Sequence, residues 1–400
     1  MKNKAVKIFL GVILAVVVVF GTVAIINSVK NGGEVKNALS PSVSENQNIT
    51  EAPTVKPPVT LNVVSVGDNL IHDGIYEQAK KRANGNGYDF SFAYKRIADT
   101  ISGADLATIN QETVIAKSYQ PSGYPLFNSP EELGAEIQKI GFDVINMANN
   151  HMIDKTSKGL AEAIDYWNSQ DAVVKTGAYK NTDDLNTVEY IEKDGIKIGL
   201  IGITQYTNGL SLPKDSELKI IYTSDEDIIK SKIEATKAQC DMVLVNVHWG
   251  NEYTTVPVDG QRTLAKKMAS WGADIIIGHH PHVIEPVEWI ENDNGSRTLV
   301  AYSLGNFISQ QDTAARVIGG ILHYDITKDF ETKKITVSNV IFEPIVTHYV
   351  TGSYDVQIYP LSQYTDKLAK AQSGRIKQSD FSISYINSFV EKVIDKEFLK

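Results

Sequence analysis

Between Leu61 and His282, short apolar runs end repeatedly on a side chain that can carry chemistry. "VVSVG" closes on Asp68, and "LATI" leads to Asn110 and Glu112. "VINMA" opens onto Asn149, Asn150 and His151, "LVNV" onto His248, and "IIIG" onto His279, His280 and, two residues on, His282. The stretches between these runs read as helices of ordinary length. Strands alternating with helices imply βαβ units, and hence a sheet covered by helices. In open α/β sheets ligands bind beyond the carboxyl ends of the strands. The polar residues therefore gather at the rim where such a fold places its site, and five of the eight histidines are among them.

The helix and strand signals are mostly clear. "SPEELGAEIQKIG" has Ser129 as an N-cap candidate, Pro130 at the first helical position, acids in the first turn and Gly141 as a stop. "FSFAYKRIADTISG" reads as one helix ending on Gly103, and "YIEKDGIKIGLIGIT" as a hairpin turning at Asp194-Gly195. Later segments, "TLVAYSLGNFI", "GGILHYDITK" and "KITVSNVIFEPI", read as antiparallel strands of a mixed or second packed sheet. These elements form a single α/β domain over residues 60–350, with no internal repeat. The tail, residues 351–400, carries an amphipathic helix, "SYINSFVEKVIDKEF", expected to pack on the domain.

The first 59 residues differ. "MKNKAVK" precedes a run from Ile8 to Ile26 that holds no charge. As a helix that run is roughly 28 Å long, enough to span a bilayer. Its length, and the lack of a small-residue cleavage pattern after it, favour an uncleaved signal anchor over a cleaved signal peptide. The lysines on its N-terminal side place that end in the cytoplasm and the rest of the chain outside the membrane. Residues 1–29 thus read as a cytoplasmic stub and single-pass transmembrane anchor. Residues 30–59, rich in Ser, Asn, Pro and Glu, read as a disordered linker. The net charge of −9 and the absence of a Lys/Arg-rich block argue against a nucleic-acid partner. The lone Cys240 excludes an intrachain disulfide and a cysteine zinc site, and its place before an apolar run suggests a small core residue.

Each polar residue has a bland explanation. Asp68 could cap a turn, Glu112 could be an exposed loop carboxylate, and Asn149 and Asn150 could make Asx turns. His248 could pair with Trp249 in the core, and "HHPH" could be a solvated loop. All of these would have to hold together if the strands are neighbours. A set of Asp, Glu, Asn and neutral His without thiolate suits a hard or borderline divalent ion such as Mn, Zn, Fe or Mg. Drawn from several strand ends, it can hold two ions about 3.5–4 Å apart, which clamp the attacking and leaving oxygens of a phosphoester-like centre. A histidine beside them can protonate the leaving oxygen.

Six motifs in order, "SVGDNL", "NQE", "ANNHMID", "NVHWGNEY", "IIGHHPHVIEPVE" and "YSLGNFI", resemble those of the CapA/PgsA-type poly-γ-glutamate capsule synthesis family, itself similar to the calcineurin-like metallophosphoesterases. The resemblance covers about Leu61 to Phe307. It implies a four-layer α/β/β/α sandwich of metallophosphoesterase type with a dinuclear centre. Asp68 would be the first-strand ligand, Glu112 the bridging carboxylate, Asn150 the amide ligand, and His248, His280 and His282 the imidazole ligands. His151 would be the general acid. Asp154 would either orient that imidazole or cap the next helix. Asn306 would line the pocket, with Asn110, Asn149 and His279 beside it. Two departures stand out. Leu70 occupies the histidine place of the wider Asp-x-His pattern, for which His72 could substitute only through an irregular turn. Glu112 stands where that pattern has Asp.

The resemblance implies a membrane-anchored, extracytoplasmic metal-dependent hydrolase of capsule or envelope polymer biosynthesis. The alternative is a non-catalytic accessory subunit of a membrane polymer synthase or export complex. A module that only binds a polyanion is disfavoured by the acidic charge. No Gly-rich phosphate loop with lysine is present to supply ATP chemistry for amide-bond formation.

Overall fold

The computed structural model describes residues 56–350 and 355–399. The expected Ile8–Ile26 anchor and nearly all of the expected linker lie outside these residues. Among the described residues no helix is long and apolar enough to cross a membrane.

The first half of the described chain alternates strand and helix. It runs β1 (Val59–Asn69), α1 (Asp73–Arg82), α2 (Ser91–Tyr94), α3 (Ala98–Ser102), β2 (Leu106–Asn110), α4 (Glu131–Lys139), β3 (Val144–Asn146), α5 (Thr156–Asn168), β4 (Val174–Thr176) and α6 (Thr182–Asn186). A second alternation follows: β5 (Glu189–Lys193), β6 (Ile196–Thr204), α7 (Glu226–Lys237), β7 (Met242–His248), α8 (Asp259–Trp271) and β8 (Ile275–His279). The remainder is mostly strand: β9 (Val287–Glu291), β10 (Arg297–Ala301), β11 (Asn306–Ile308), β12 (Ile318–Lys328), β13 (Ile335–His348) and β14 (Gln357–Pro360). Helices α9 (Asp366–Ser373) and α10 (Ile383–Val393) close the chain.

These strands form two sheets, a mixed α/β arrangement. One has eight strands in the order β14-β13-β12-β1-β2-β3-β4, with β11 paired to β1. The other has six, β5-β6-β7-β8-β10-β9. The neighbouring pairs from β1 through β4 and from β6 through β8 are parallel. Buried parallel strands are apolar on both faces, and β7 shows how the faces divide. Met242 and Leu244 enter the core shared with the eight-stranded sheet. Val243, Val245 and Val247 face the other way, against Ile229 and Ile233 of α7 and Leu264 and Met268 of α8. A fully buried side chain of this kind contributes on the order of 2 kcal/mol, so the shared core dominates over exposed ion pairs worth about 0–1 kcal/mol each.

Several sequence expectations change. The helix expected over "FSFAYKRIADTISG" splits into α2 and α3, with Tyr94 and Ile97 buried at the break. Ser129 does not cap α4, because its hydroxyl bonds that of Thr113 at 2.7 Å. "TLVAYSLGNFI" is two strands. The chain leaves the six-stranded sheet after β10 and enters the eight-stranded sheet as β11, where it runs parallel to β1. Not all late strands are antiparallel, since β10 also pairs parallel with β8. Cys240 is half-buried rather than in the core. The hairpin at Asp194-Gly195 forms as read, with φ of 52° and 86° at its two residues, as a type I′ turn requires. Strand β14 extends the sheet edge beside β13, and Ile386 and Val390 of α10 are buried in the main core.

Candidate metal centre

Strand register brings the polar residues into two rows. In the eight-stranded sheet, Asp68 pairs with Asn306 on one side and Asn110 on the other; Asn110 pairs with Asn146, and Asn146 with Thr176. In the six-stranded sheet Thr204, His248 and His279 stand in register. The site therefore does not lie on the rim of one sheet, as the alternation alone suggested. It lies where the ends of two stacked sheets face each other.

Close backbone approach packs the segment between β10 and β11 against one strand of each sheet. At Gly67 an added Cβ would lie 1.9 Å from the Gly305 carbonyl oxygen, and at Gly278 one would lie 1.8 Å from that of Tyr302. Only glycine tolerates such contacts. The Gly67 approach lets the Asp68 amide donate to the Gly305 carbonyl at 2.9 Å and fixes where the carboxylate emerges.

The middle of the first row is hydrogen-bonded. Asn146 donates to Asn110 Oδ1 at 2.9 Å, and Asn110 donates to Asp68 Oδ1 at 2.7 Å. Asp68 Oδ2 lies 3.2 Å from His282 Nδ1. Across the gap, His248 Nε2 lies 2.9 Å from Asn150 Oδ1, 3.2 Å from His280 Nδ1 and 3.7 Å from Glu112 Oε1. His282 Nε2 is 3.8 Å from the same Glu112 oxygen. Ligand atoms of Asp68, Glu112 and His282 all fall within 4.8 Å of one another, as do those of Glu252, His280 and His282.

Burial sets the charge states. It is the largest influence on Asp68 and would raise its carboxyl, but the hydrogen bond and charge of His282, then His279 and the Asn110 amide, hold it below the usual range. Burial drives Glu112 well above the usual carboxylate range, and the charges of Asp68, Glu252 and Asp154 push the same way. Burial likewise lowers His248 far below the usual imidazole value, His279 to about 4 and His280 to about 3. These imidazoles are neutral at pH 7, so the contact between His248 and Glu112 is not an ion pair. Neutral imidazole is the form that ligates metal.

Glu112 decides what the site can hold. It is fully buried, and neither carboxylate oxygen has a hydrogen-bond partner. Burying a carboxylate without a counter-charge costs several kcal/mol. A cation between Asp68, Glu112 and His282 supplies that charge. The donor set of carboxylates, an amide and imidazoles, without thiolate, fits a hard or borderline divalent ion.

The other candidates surround this set. His151 Nδ1 bonds Asp154 Oδ2 at 2.8 Å, and the same oxygen accepts from the Phe127 amide at 2.7 Å. Asp154 thus orients the imidazole; α5 begins beyond it, at Thr156. Asn306 Oδ1 meets His282 Nδ1 at 3.0 Å. His279 is wedged between Asn246 Oδ1, 3.3 Å from its Nε2, and Asp68, 3.7 Å from its Nδ1. Asn149 spends its amide on the carbonyls of Gln111 and Met147 and accepts from the His151 amide, so it braces the turn rather than the cluster. His72 does not take the place left by Leu70. Its Nδ1 accepts from the Gln310 amide at 3.3 Å, and its ring packs edge-on against Phe127.

Sequence reasoning missed Glu252, Tyr206 and Asn208. Glu252 was inside a quoted motif, "NVHWGNEY", and its carboxylate was the available signal. Tyr206 bonds His280 Nε2, and Asn208 sits 3.2 Å from Asn150 and 3.3 Å from His151. Both follow β6, another strand end, which carries no histidine or acid to draw notice.

Stacked sheets whose facing ends pair buried carboxylates with neutral imidazoles define a protein with a candidate divalent-metal centre. The profile of the bacterial capsule synthesis protein PGA_cap matches residues 62–311, and the chain belongs to that family. It is 30% identical over 275 residues to the capsule biosynthesis protein CapA of Bacillus anthracis, covering 66% of this chain and 64% of that one. It is 27% identical over 290 residues to the PGA biosynthesis protein CapA of Bacillus subtilis, covering 71% and 74%. The match thus spans less than two thirds of the B. anthracis relative. Among solved structures, a phosphatase from Mycoplasma pneumoniae aligns at 14% identity with a TM-score of 0.41, covering 72% of this chain and 94% of that one.

Proposed function

We propose that this protein is a metal-dependent hydrolase of phosphoester-type chemistry acting in capsule polymer biosynthesis, with poly-γ-glutamate as the polymer concerned. In this reading the fold is a four-layer sandwich of metallophosphoesterase type, and the domain is held outside the membrane by the Ile8–Ile26 anchor. The buried, unpartnered Glu112 among neutral imidazoles carries the proposal. Asp68, Glu112, Asn150, His248, His280 and His282 would hold the ions, with Glu252 at the outer edge.

When bound, divalent ions would polarise the scissile centre and lower the pKa of water. The chain's own residues would do the rest. Asp154 holds His151 through Nδ1 at 2.8 Å, leaving Nε2 to deliver a proton to the leaving oxygen. Asn306 and Asp68 fix the ring of His282 from one side. Phe127 packs edge-on against His151 at 4.7 Å between ring centres and keeps water from that side.

One observation favours the accessory-subunit reading. Leu70 is buried where the wider pattern has a ligand, and His72 is turned to Phe127. Metal analysis of the purified protein separates the two readings. The hydrolase reading expects bound divalent metal, chelator-sensitive cleavage of a generic phosphoester, and loss of both in Glu112→Gln. Full capsule production by Glu112→Gln in cells, with no metal in the wild type, would leave only the accessory role.

A further inference from the structure

Four residues bordering the cluster hold left-handed backbone although none is glycine: Asn208 at φ 50°, Tyr253 at 67°, His280 at 99° and His282 at 58°. Such conformations cost free energy and persist where the surroundings impose them. For His280 and His282 the reason is plain, since the turn aims both rings at the cluster. Tyr253 is not a ligand candidate, yet its amide is tied to the Pro281 carbonyl at 2.8 Å, inside the His-Pro-His turn.

Its ring explains the constraint. Tyr253 stacks on His282, with centroids 6.1 Å apart and planes 29° from parallel. On Tyr253 lies the guanidinium of Arg316, its Cζ 3.3 Å from the ring centre. Arg316 sits on the short 3₁₀ turn Ala314–Val317, and its carbonyl accepts from Asn306, the residue that also holds His282. The guanidinium is thus fixed two stacked layers out from the candidate metal ligand. Its Nε is shielded from solvent and has no hydrogen-bond partner. A planar guanidinium held on an aromatic face keeps its donors in a fork that matches a carboxylate or phosphate.

The surroundings leave this cation to a ligand. Five of the seven exposed large apolar or aromatic side chains among the described residues, Tyr124, Leu126, Leu210, Tyr253 and Val256, are on three loops that touch His151, His280 or His282. The mouth is therefore lined largely by apolar and aromatic side chains, with Glu252 beside Tyr253 and Arg316 as a positive group fixed on the Tyr253 ring.

We infer that Arg316 is an anion-recognition residue of this site, receiving a carboxylate or phosphate oxygen of the substrate while the reacting centre sits at the metal ligands. The inference rests on the proposed reading of the site as a metal centre for its catalytic meaning, but the Arg316–Tyr253–His282 stack exists without it. Binding of inorganic phosphate and of a short γ-linked glutamate oligomer to the full-length protein, measured by calorimetry with and without Mn²⁺, tests it. Metal content and melting temperature are followed in parallel.

Arg316→Gln is expected to weaken binding of the preferred anion about 10- to 100-fold. Metal content and melting temperature should not change. Arg316→Lys should recover only part of the loss, because it keeps the charge but not the fork. Tighter binding of phosphate or of the oligomer identifies which anion the site takes. Equal anion affinity in wild type and Arg316→Gln, or no anion bound by the wild type in either state, overturns the inference. Absence of metal alone would instead count against the hydrolase reading, while anion binding lost in Arg316→Gln would still uphold the role of Arg316.

Discussion

The two sheets contribute opposite chemistry. The strand ends of the eight-stranded sheet supply Asn306, Asp68, Asn110 and Asn146, a row of oxygens and amides of which the last three are joined by hydrogen bonds. Those of the six-stranded sheet supply Thr204, His248 and His279, and the turn beyond adds His280 and His282. Burial holds His248, His279 and His280 neutral. The eight-stranded sheet supplies the buried Asp68 and Glu112, while the six-stranded sheet supplies His248, His280 and His282 with only the exposed Glu252 beside them. Glu112, just past β2, is the acid that neither row satisfies. Stacking the sheets brings Asp68 and Glu112 to His248 and His282, so the packing that holds this arrangement matters as much as the candidate ligands.

The largest effect should come from displacing the segment that leads from β10 towards β11. Gly278→Ala places a methyl 1.8 Å from a backbone oxygen of Tyr302, which cannot move aside without shifting β10. A loss of at least about 3 kcal/mol is expected in chemical denaturation, with the metal content falling alongside. Gly260→Ala, which meets nothing within 4 Å, is the control and should melt as the wild type does.

Next in size are changes at the proton donor. His151→Ala should lower turnover of a phosphoester by about 10²–10⁴-fold, and Asp154→Asn by about 10-fold. Metal content should be unchanged in both, because neither residue joins the ligand groups. Loss of metal in Asp154→Asn would make that residue a support of the ligands rather than of His151.

The smallest effect sharpens the contrast between two buried acids. Glu285 belongs to the six-stranded half and bonds Gln261 at 2.8 Å, and burial raises its carboxyl to about 8. A raised folded-state pKa gives stability that is present below the unfolded value, near 4.5, and lost as pH climbs through about 8. Glu285→Gln should therefore melt higher than the wild type at pH 8, and the two should converge near pH 4, with metal binding unaffected. Glu112→Gln should also stabilise the metal-free protein, but at the expense of the metal. If both substitutions leave metal content intact, Glu112 is an ordinary buried acid and the contrast disappears.

Much of the site could be read in the chain because strand ends are local features. An apolar run that stops on Asp68 or His248 announces both the strand and its terminus. Asp154, three residues after His151, was legible as within reach of that imidazole or as a helix cap, and the structure gives it the first role. Asn149 misled for the same reason: its position beside Asn150 says nothing of its orientation, and its amide turned to the main chain. Arg316 and Tyr253 gave no local sign, since their stacking joins segments more than 60 residues apart.

Apolar periodicity and strand-end composition alone determined that this chain forms helices and strands in alternation, with acids, amides and imidazoles at the termini. Hydrophobic patterning is a property of neighbours in sequence, and it suffices to say which faces are buried. It does not say which sheet a strand joins. Only the tertiary structure decided that "TLVAYSLGNFI" crosses from one sheet to the other, that Asp68 and Glu112 of one sheet meet His248 and His282 of the other, and that Glu112 is left without a hydrogen-bond partner there. Those outcomes depend on contacts between distant segments, where the backbone approach at Gly67 and Gly278 and the burial of charge are settled by packing.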